Sequence, residues 1–176
     1  MIYWIRHCAT TGQAPEAPLT STGHAQAQHL ADVLAPFGIT RIVSSPYRRA
    51  LQSIEPFAAR TGITVEPDGR IRERLLSTEP LADVRLTLKH TFDDADFAAP
   101  GGETSREATA RASAAFSDIM SAGSTTAVVS HGNLTSLLLR RLGWPMDFDA
   151  SLRLTNPDLF RIDPIDATVT ITRLWH

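Results

Sequence analysis

Thiols, net charge and long apolar runs are all scarce in this chain, and each shortage removes a class of protein. A single cysteine, Cys8, is present among 176 residues, so no internal disulfide can form, which is compatible with a reducing cytosol. Hydrophobic residues make up 43% and charged residues 20% of the sequence, values ordinary for a globular protein in water that suggest neither disorder nor a membrane partner. The formal net charge of -2 argues against a nucleic-acid binder held by a broad basic face, so any positive potential has to be local. The N-terminal residues show no basic segment leading into a long apolar core and a cleavage site, and the expectation is a cytoplasmic chain without a secretory signal. One domain over residues 1–176 is expected; at that length it buries roughly 70% of the surface of the unfolded chain and needs no staples.

What the chain does have is a set of short apolar runs, each ending abruptly in polar chemistry. Ile2, Tyr3, Trp4 and Ile5 run into Arg6-His7. Thr126, Ala127, Val128 and Val129 run into Ser130-His131-Gly132, and Arg41, Ile42 and Val43 run into Ser44-Ser45-Pro46, with Arg48 and Arg49 just beyond. Strands of this kind deliver the residues after them to the carboxyl edge of a sheet, where open α/β proteins place their ligands. Two histidines and at least two arginines at one edge suit a phosphoryl group. Guanidinium forks grip its oxygens with paired hydrogen bonds, and a neutral imidazole is able to attack phosphorus.

Helical spacing fills the intervals. Ala27, Leu30, Ala31 and Leu34 form an i, i+3, i+4, i+7 stripe behind Thr20 or Ser21 as cap. Ser45-Pro46 reads as a helix start, with Leu51, Ile54, Phe57 and Ala58 as its buried face. Thr104 to Glu107 has the form of a capping box, followed by Ala108, Ala112, Ala115, Phe116 and Ile119 and closed by Gly123. A further helix begins near Asn133, packs Leu134, Leu137 and Leu138, and ends on Arg140 and Arg141 before Gly143. Leu159 to Ile162 and Val169 to Leu174, joined through Asp163-Pro164-Ile165-Asp166, read as a closing hairpin on the sheet edge. Strands alternating with helices predict an α/β fold, a three-layer α/β/α sandwich with a mostly parallel central sheet. Residues 76–103 break the regularity; an excursion of this length between core elements is a lid, a wall of the site or a plain surface loop.

Arg6-His7-Cys8-Ala9-Thr10, the segment Ser44 to Ser53, Glu73 and Ser130-His131-Gly132-Asn133 together resemble, in their order, the four signatures of the histidine phosphatase superfamily, the phosphoglycerate mutase-like proteins. The resemblance runs from residue 2 to about residue 140. It implies His7 as the nucleophile that takes the phosphoryl group, Arg6 and Arg49 as clamps on its oxygens, His131 as a second imidazole on the same group, and Glu73 as the acid that protonates the departing oxygen. Thr10 and Gln13 are expected to line the phosphate pocket. Cys8 stands where the family commonly has a small residue and is expected to be a buried core residue. Arg48, His24 and His29 are expected on the surface. No metal site is expected, because no carboxylate or third histidine falls at a telling spacing from His7 and His131, and no cofactor is implied.

The function implied is hydrolysis of a small-molecule phosphomonoester through a phosphohistidine. Three other readings stay open on the sequence: a cofactor-dependent phosphoglycerate mutase, a protein phosphohistidine phosphatase, and a noncatalytic phosphate-binding module. Asp93, Asp94 and Asp96 make the excursion acidic, which disfavours a substrate with a second anionic group. The family's glycine and tryptophan pattern after the acid is replaced here by Leu75-Leu76-Ser77-Thr78.

Overall fold

Alternation along strand β1 (Ile2–Arg6) decides how the molecule is layered. Successive side chains of a strand point to opposite faces. Ile2 and Trp4 accordingly enter one buried cluster, and Tyr3 and Ile5 enter another. The computed structural model describes residues 1–165 and 168–175, and within it β1 is flanked by β4 (Thr126–Ser130) in parallel and β5 (Asp158–Ile165) in antiparallel orientation. With β2 (Arg41–Ser44), β3 (Val65–Pro67) and β6 (Thr168–Arg173) the sheet has the order β3-β2-β4-β1-β5-β6. β3, β2, β4 and β1 are mutually parallel, and β5 and β6 form an antiparallel hairpin at one end.

Helices cover both faces, giving the expected three-layer sandwich. On one face, α4 (Ser105–Ser121) contributes Ala108, Ala112 and Ala115, and α5 (Gly132–Arg141) contributes Leu134 and Leu138. On the other, α1 (Ser21–Leu34) contributes Ala27, Leu30, Ala31 and Leu34, and α2 (Arg48–Thr61) contributes Ala50, Ile54 and Phe57. Trp4 crosses the first interface and donates its indole N–H to Thr135 Oγ1 at 2.9 Å in the interior. Such a polar tie lets a buried tryptophan satisfy its one donor.

Local chemistry explains most boundaries. Thr20 caps α1 by accepting from the Gly23 amide at 2.9 Å. Thr104 and Glu107 form the reciprocal capping box of α4. Several elements differ from the sequence reading. α2 begins at Arg48 rather than at Ser45-Pro46, with Tyr47 as a cap that makes no side-chain bond; the Ser45 hydroxyl accepts only the Tyr47 amide, at 3.3 Å, and the Arg48 amide goes instead to Pro15 O at 2.9 Å. β3 was not anticipated: three residues ending in proline carry no alternation to detect. The excursion 76–103 contains a helix, α3 (Val84–Asp93), capped by Asp83, whose buried residues are Thr91 and Phe92 in its last turn, while Val84 and Leu86 are exposed. With one end buried instead of one face, it shows little periodicity. A short helix, α6 (Phe148–Leu152), precedes the closing hairpin. β5 runs on through Asp163, Pro164 and Ile165 of the expected connection, β6 lies one residue earlier than expected and stops before Leu174, and Asp166 lies outside the described residues.

Gly23 sits where α1 rests on the loop after β1, and a Cβ there would lie 2.0 Å from the carbonyl oxygen of Ala9. A backbone atom of a tied loop does not move aside cheaply, so Gly23→Ala is expected to lower stability by about 1–3 kcal/mol, outweighing the gain of about 1 kcal/mol in helix propensity. A urea midpoint no lower than that of the unmodified protein would contradict this.

Candidate active site

Register brings three strand ends to one level. Arg6 pairs with Ser130 across β1 and β4, and Ser44 pairs with Val129 across β2 and β4. The ladder continues one step further, with His7 N–H donating to Ser130 O at 3.0 Å and Ser45 N–H to Val129 O at 2.9 Å. His7, Ser45 and His131 therefore leave the sheet side by side. All three are buried, as is Arg49 from the first turn of α2.

The proton on His7 is located by its partners. Nδ1 lies 2.7 Å from the carbonyl oxygen of Cys8, which accepts and never donates, so Nδ1 carries the hydrogen. Arg49 Nε donates to His7 Nε2 at 3.1 Å, which requires a lone pair on Nε2. The two contacts specify the same neutral tautomer. Burial pushes the His7 pKa down to about 3, the Cys8 bond opposing it and the charges of Arg49 and Arg6 adding to it. His131 packs edge-on against His7, with ring centroids 5.1 Å apart. It too is held well below the ordinary histidine value, by burial first and then by His7, Arg49, Arg111 and Arg6.

Around these rings lies a set of unsatisfied nitrogens. Arg49 anchors Nη1 on the carbonyl oxygens of Gln13 and Ala14, at 3.1 and 2.9 Å, and its Nη2 is buried without a partner. Arg6 anchors Nη1 on Leu154 O at 2.7 Å, and its Nε is likewise buried and unpartnered. Its guanidinium lies across the start of α5, where a Cβ on Gly132 would come within 2.9 Å of Nε, so glycine is what lets the arginine pass. His131 bonds Ser45 through Nε2 and leaves Nδ1 without a partner. Among the described residues the Ser45 hydroxyl, which accepts from the Tyr47 amide at 3.3 Å, has no acceptor for its own proton other than His131 Nε2, so it is placed to donate there, which leaves the ring proton on Nδ1. Two guanidinium N–H groups and an imidazole N–H without acceptors are what an oxyanion satisfies.

Glu73 stands across from them. Its Oε1 accepts from the amides of Arg74 and Leu134 at 2.9 and 3.0 Å, and its Oε2 from that of Asn133 at 3.1 Å. The carboxylate thus sits on the N-terminus of α5, where the helix dipole favours an anion. Its neighbour Arg74 is buried, with Nε on Glu103 O and Nη1 on Ser105 Oγ, both at 2.9 Å, so the stretch is not a solvated charge run. A cavity of about 300 Å³ opens between Arg6 and Glu73. Two larger clefts, of about 730 and 1090 Å³, lie along α3; none of the three is lined by His7 or Arg49, and the larger two also lack Arg6 and Glu73.

A sequence model of the histidine phosphatase superfamily, branch 1, matches residues 2–175. The chain belongs to that superfamily. The "Probable phosphoglycerate mutase GpmB" of Enterobacter sp. (strain 638) is 31% identical over 182 residues, covering 92% of this chain and 84% of the relative, and the protein of the same description from Salmonella paratyphi B matches equally. Among solved structures, Bacillus stearothermophilus YhfR aligns with a TM-score of 0.78 at 22% identity, covering 98% of this chain and 95% of that one. The mycobacterial glucosyl-3-phosphoglycerate phosphatase Rv2419c aligns at 0.75 and 23% identity, covering 98% and 95%. These structural likenesses establish the histidine phosphatase fold.

The remaining candidates fall into place around this superfamily's crevice in different ways. Thr10 spends its hydroxyl on the carbonyl oxygens of Pro18 and Gly12, at 2.9 and 3.3 Å, which leaves only its backbone to face a phosphate. Gln13 acts on the site through its carbonyl, which holds Arg49. Arg48, His24 and His29 are exposed. Cys8 is fully buried, and burial pushes its thiol up to about 11, so no thiolate forms near neutral pH. Among the described residues, no group of three His, Cys, Asp or Glu side chains gathers as a metal site.

The sequence reading missed several residues that hold the site together. Ser53 accepts from Cys8 N–H at 2.9 Å and donates to Arg49 O at 2.6 Å, joining β1 to α2. Asn156 donates to His7 O at 2.7 Å. Tyr47 lies under Arg49, with 4.9 Å from Cζ to ring centroid, and 5.0 Å from His131. Only Ser45 carried a usable signal, because it occupies the same place after β2 as His7 after β1.

The buried histidines have a cost in acid. His7 folds with a pKa near 3 against an ordinary 6.5, so between those values the unfolded chain binds more protons. Stability from this group is complete above pH 6.5 and falls by up to about 1.4 kcal/mol for each unit of pH below it. His7→Asn is therefore expected to flatten the decline of the urea midpoint between about pH 6.5 and about pH 5. Parallel declines in the two proteins would argue against it.

Proposed function

We propose that the protein is a metal-independent phosphatase that hydrolyses phosphomonoesters through a phosphohistidine on His7. The observation that supports this above others is the doubly specified tautomer of His7, which holds a lone pair on Nε2 among buried cationic donors. An incoming phosphate oxygen takes over the Arg49 Nε–H that now rests on Nε2, freeing the lone pair. Nε2 attacks in line, the N–P bond forms, and the bond from phosphorus to the leaving oxygen breaks. Arg6, Arg49 and His131 hold the remaining oxygens as charge spreads over them, the main service a protein renders to phosphoryl transfer. Glu73, which receives the proton that a monoanionic ester brings into the site, gives it to the departing alkoxide. Water then attacks phosphorus, the N–P bond breaks, Glu73 takes the proton from that water, and inorganic phosphate leaves.

The description of the sequence relatives as probable phosphoglycerate mutases favours one alternative outcome at the same His7: passage of the phosphoryl group to a second alcohol instead of water. Release of phosphate separates the two. Mixing the protein briefly with 4-nitrophenyl phosphate under chelation is expected to give an acid-labile phosphoryl adduct by intact mass together with free phosphate, and His7→Ala is expected to give neither. Phosphate release that survives His7→Ala would end this reading. Glu73→Gln is expected to lower kcat/KM, which reports only the steps up to loss of the alcohol and not the later water step, by about 10²–10⁴-fold on an alkyl phosphate and by much less on 4-nitrophenyl phosphate, because nitrophenolate leaves without a proton. Equal losses on the two substrates would remove Glu73 from the acid role.

A further inference from the structure

We infer that the site takes phosphomonoesters of small neutral polyhydroxy alcohols, with a leaving group that carries a hydroxyl close to its ester oxygen and no second anion. The inference rests on the phosphatase reading above and concerns the cavity that opens between Arg6 and Glu73.

Asn133 is the decisive residue. Its backbone N–H holds Glu73 Oε2 at 3.1 Å, and the residue is part of the lining of the same cavity. Both polar atoms of that side chain, Nδ2 and Oδ1, are buried and have no hydrogen-bond partner. A buried primary amide with neither function satisfied is costly, and the cost is recovered only by a group that donates and accepts at once. A hydroxyl does both. A carboxylate or second phosphate only accepts; it would serve Nδ2 and leave the oxygen Oδ1 facing an oxygen.

The rest of the wall points the same way. Ser136 gives its hydroxyl to Gly132 O at 2.9 Å, Ser151 to Phe148 O at 2.6 Å, and Asn156 gives its amide to His7 O at 2.7 Å. The two serine donors, and one of the two N–H groups of Asn156, are already used in holding the fold. Among the described residues, Arg6 is the single cation lining the cavity. Its Nη1 is bonded to Leu154 O, and its free Nε belongs to the phosphoryl group in the proposed reaction. A second anionic group would find no counter-charge. Leu88, Leu152 and Leu154 complete the wall and suit the C–H edge of a carbon chain. The volume, about 300 Å³, is at the lower end of ligand cavities and suits a small leaving group.

Glycerol 3-phosphate and 3-phosphoglycerate test this directly, because they share a three-carbon skeleton with a middle hydroxyl and differ in a terminal CH₂OH against a carboxylate. With phosphate release as the readout, kcat/KM for glycerol 3-phosphate is expected to exceed that for 3-phosphoglycerate by about tenfold or more, since a polar site rejects a group that leaves its own atoms unpaired. In Asn133→Leu, the ratio of kcat/KM for glycerol 3-phosphate to that for 4-nitrophenyl phosphate is expected to fall by about tenfold or more. Equal or faster hydrolysis of 3-phosphoglycerate, or an unchanged ratio in Asn133→Leu, overturns the inference and leaves the phosphatase reading standing. Failure to release phosphate from any of the three esters overturns both.

Discussion

A carbonyl oxygen has no proton to give, so the 2.7 Å contact between Cys8 O and His7 Nδ1 obliges the ring to keep its hydrogen on that side. Nearly everything at the carboxyl edge depends on this bond. It exposes the Nε2 lone pair, which draws the Arg49 Nε–H, and Arg49 is then braced from behind by the carbonyl oxygens of Gln13 and Ala14. Cys8 is itself immobile: its side chain is in the core and its N–H is taken by Ser53, which in turn grips Arg49 O. The strand end, the loop to Ala14 and the first turn of α2 form one closed circuit of hydrogen bonds around a single imidazole.

Burial is what makes the circuit useful and also what makes it costly. In water an imidazole beside two guanidinium groups would be screened by solvent; enclosed, its charged form is disfavoured by desolvation before any neighbour is counted. The same enclosure leaves Arg6 Nε, Arg49 Nη2 and His131 Nδ1 without partners. A folded chain tolerates unmet donors of this kind where the rest of the structure over-determines them, and such places are characteristically functional. The sheet supplies that rigidity, since β1, β4 and β2 are fully paired and covered on both faces.

Glu73 depends on a different support, the two ends of the excursion. Arg74 reaches Glu103 O and Ser105 Oγ. Arg111 makes a two-point pair with the Glu103 carboxylate at 2.6 and 2.8 Å while also holding Arg72 O. Both members of the pair are largely enclosed, with side-chain exposure of 13% and 14%, where bidentate arginine–carboxylate geometry is worth most. These arginines clamp residues 72–74 against residues 103–105, which lets Glu73 rest on the first amides of α5 although the chain makes a long detour immediately after it. α3, anchored by Thr91 and Phe92, belongs to that detour and brings Leu88 to the cavity wall.

Much of this was legible in the linear chain. The apolar run Ile2 to Ile5, the stripes of α1, α4 and α5 and the capping box at Thr104 are local patterns with local causes, and they lead to the layered fold. The positions of Arg6, His7, Arg49 and His131 beyond strand ends were equally readable, because a strand that stops at a sheet edge must deliver its next residues to that edge. The clamp that seats Glu73 was not readable, since Arg74, Glu103 and Arg111 pair across a detour with no periodic signal. Nor were Ser53 and Asn156, which act on His7 and Arg49 through backbone groups that any residue could supply. The amino-acid sequence by itself determined which elements form and which chemistry each strand end carries. Only the tertiary structure decided which nitrogen of His7 holds the proton, which donors are left unmet, and which wall of the cavity is neutral, because those depend on contacts between residues far apart in the chain and on the exclusion of water that their packing achieves.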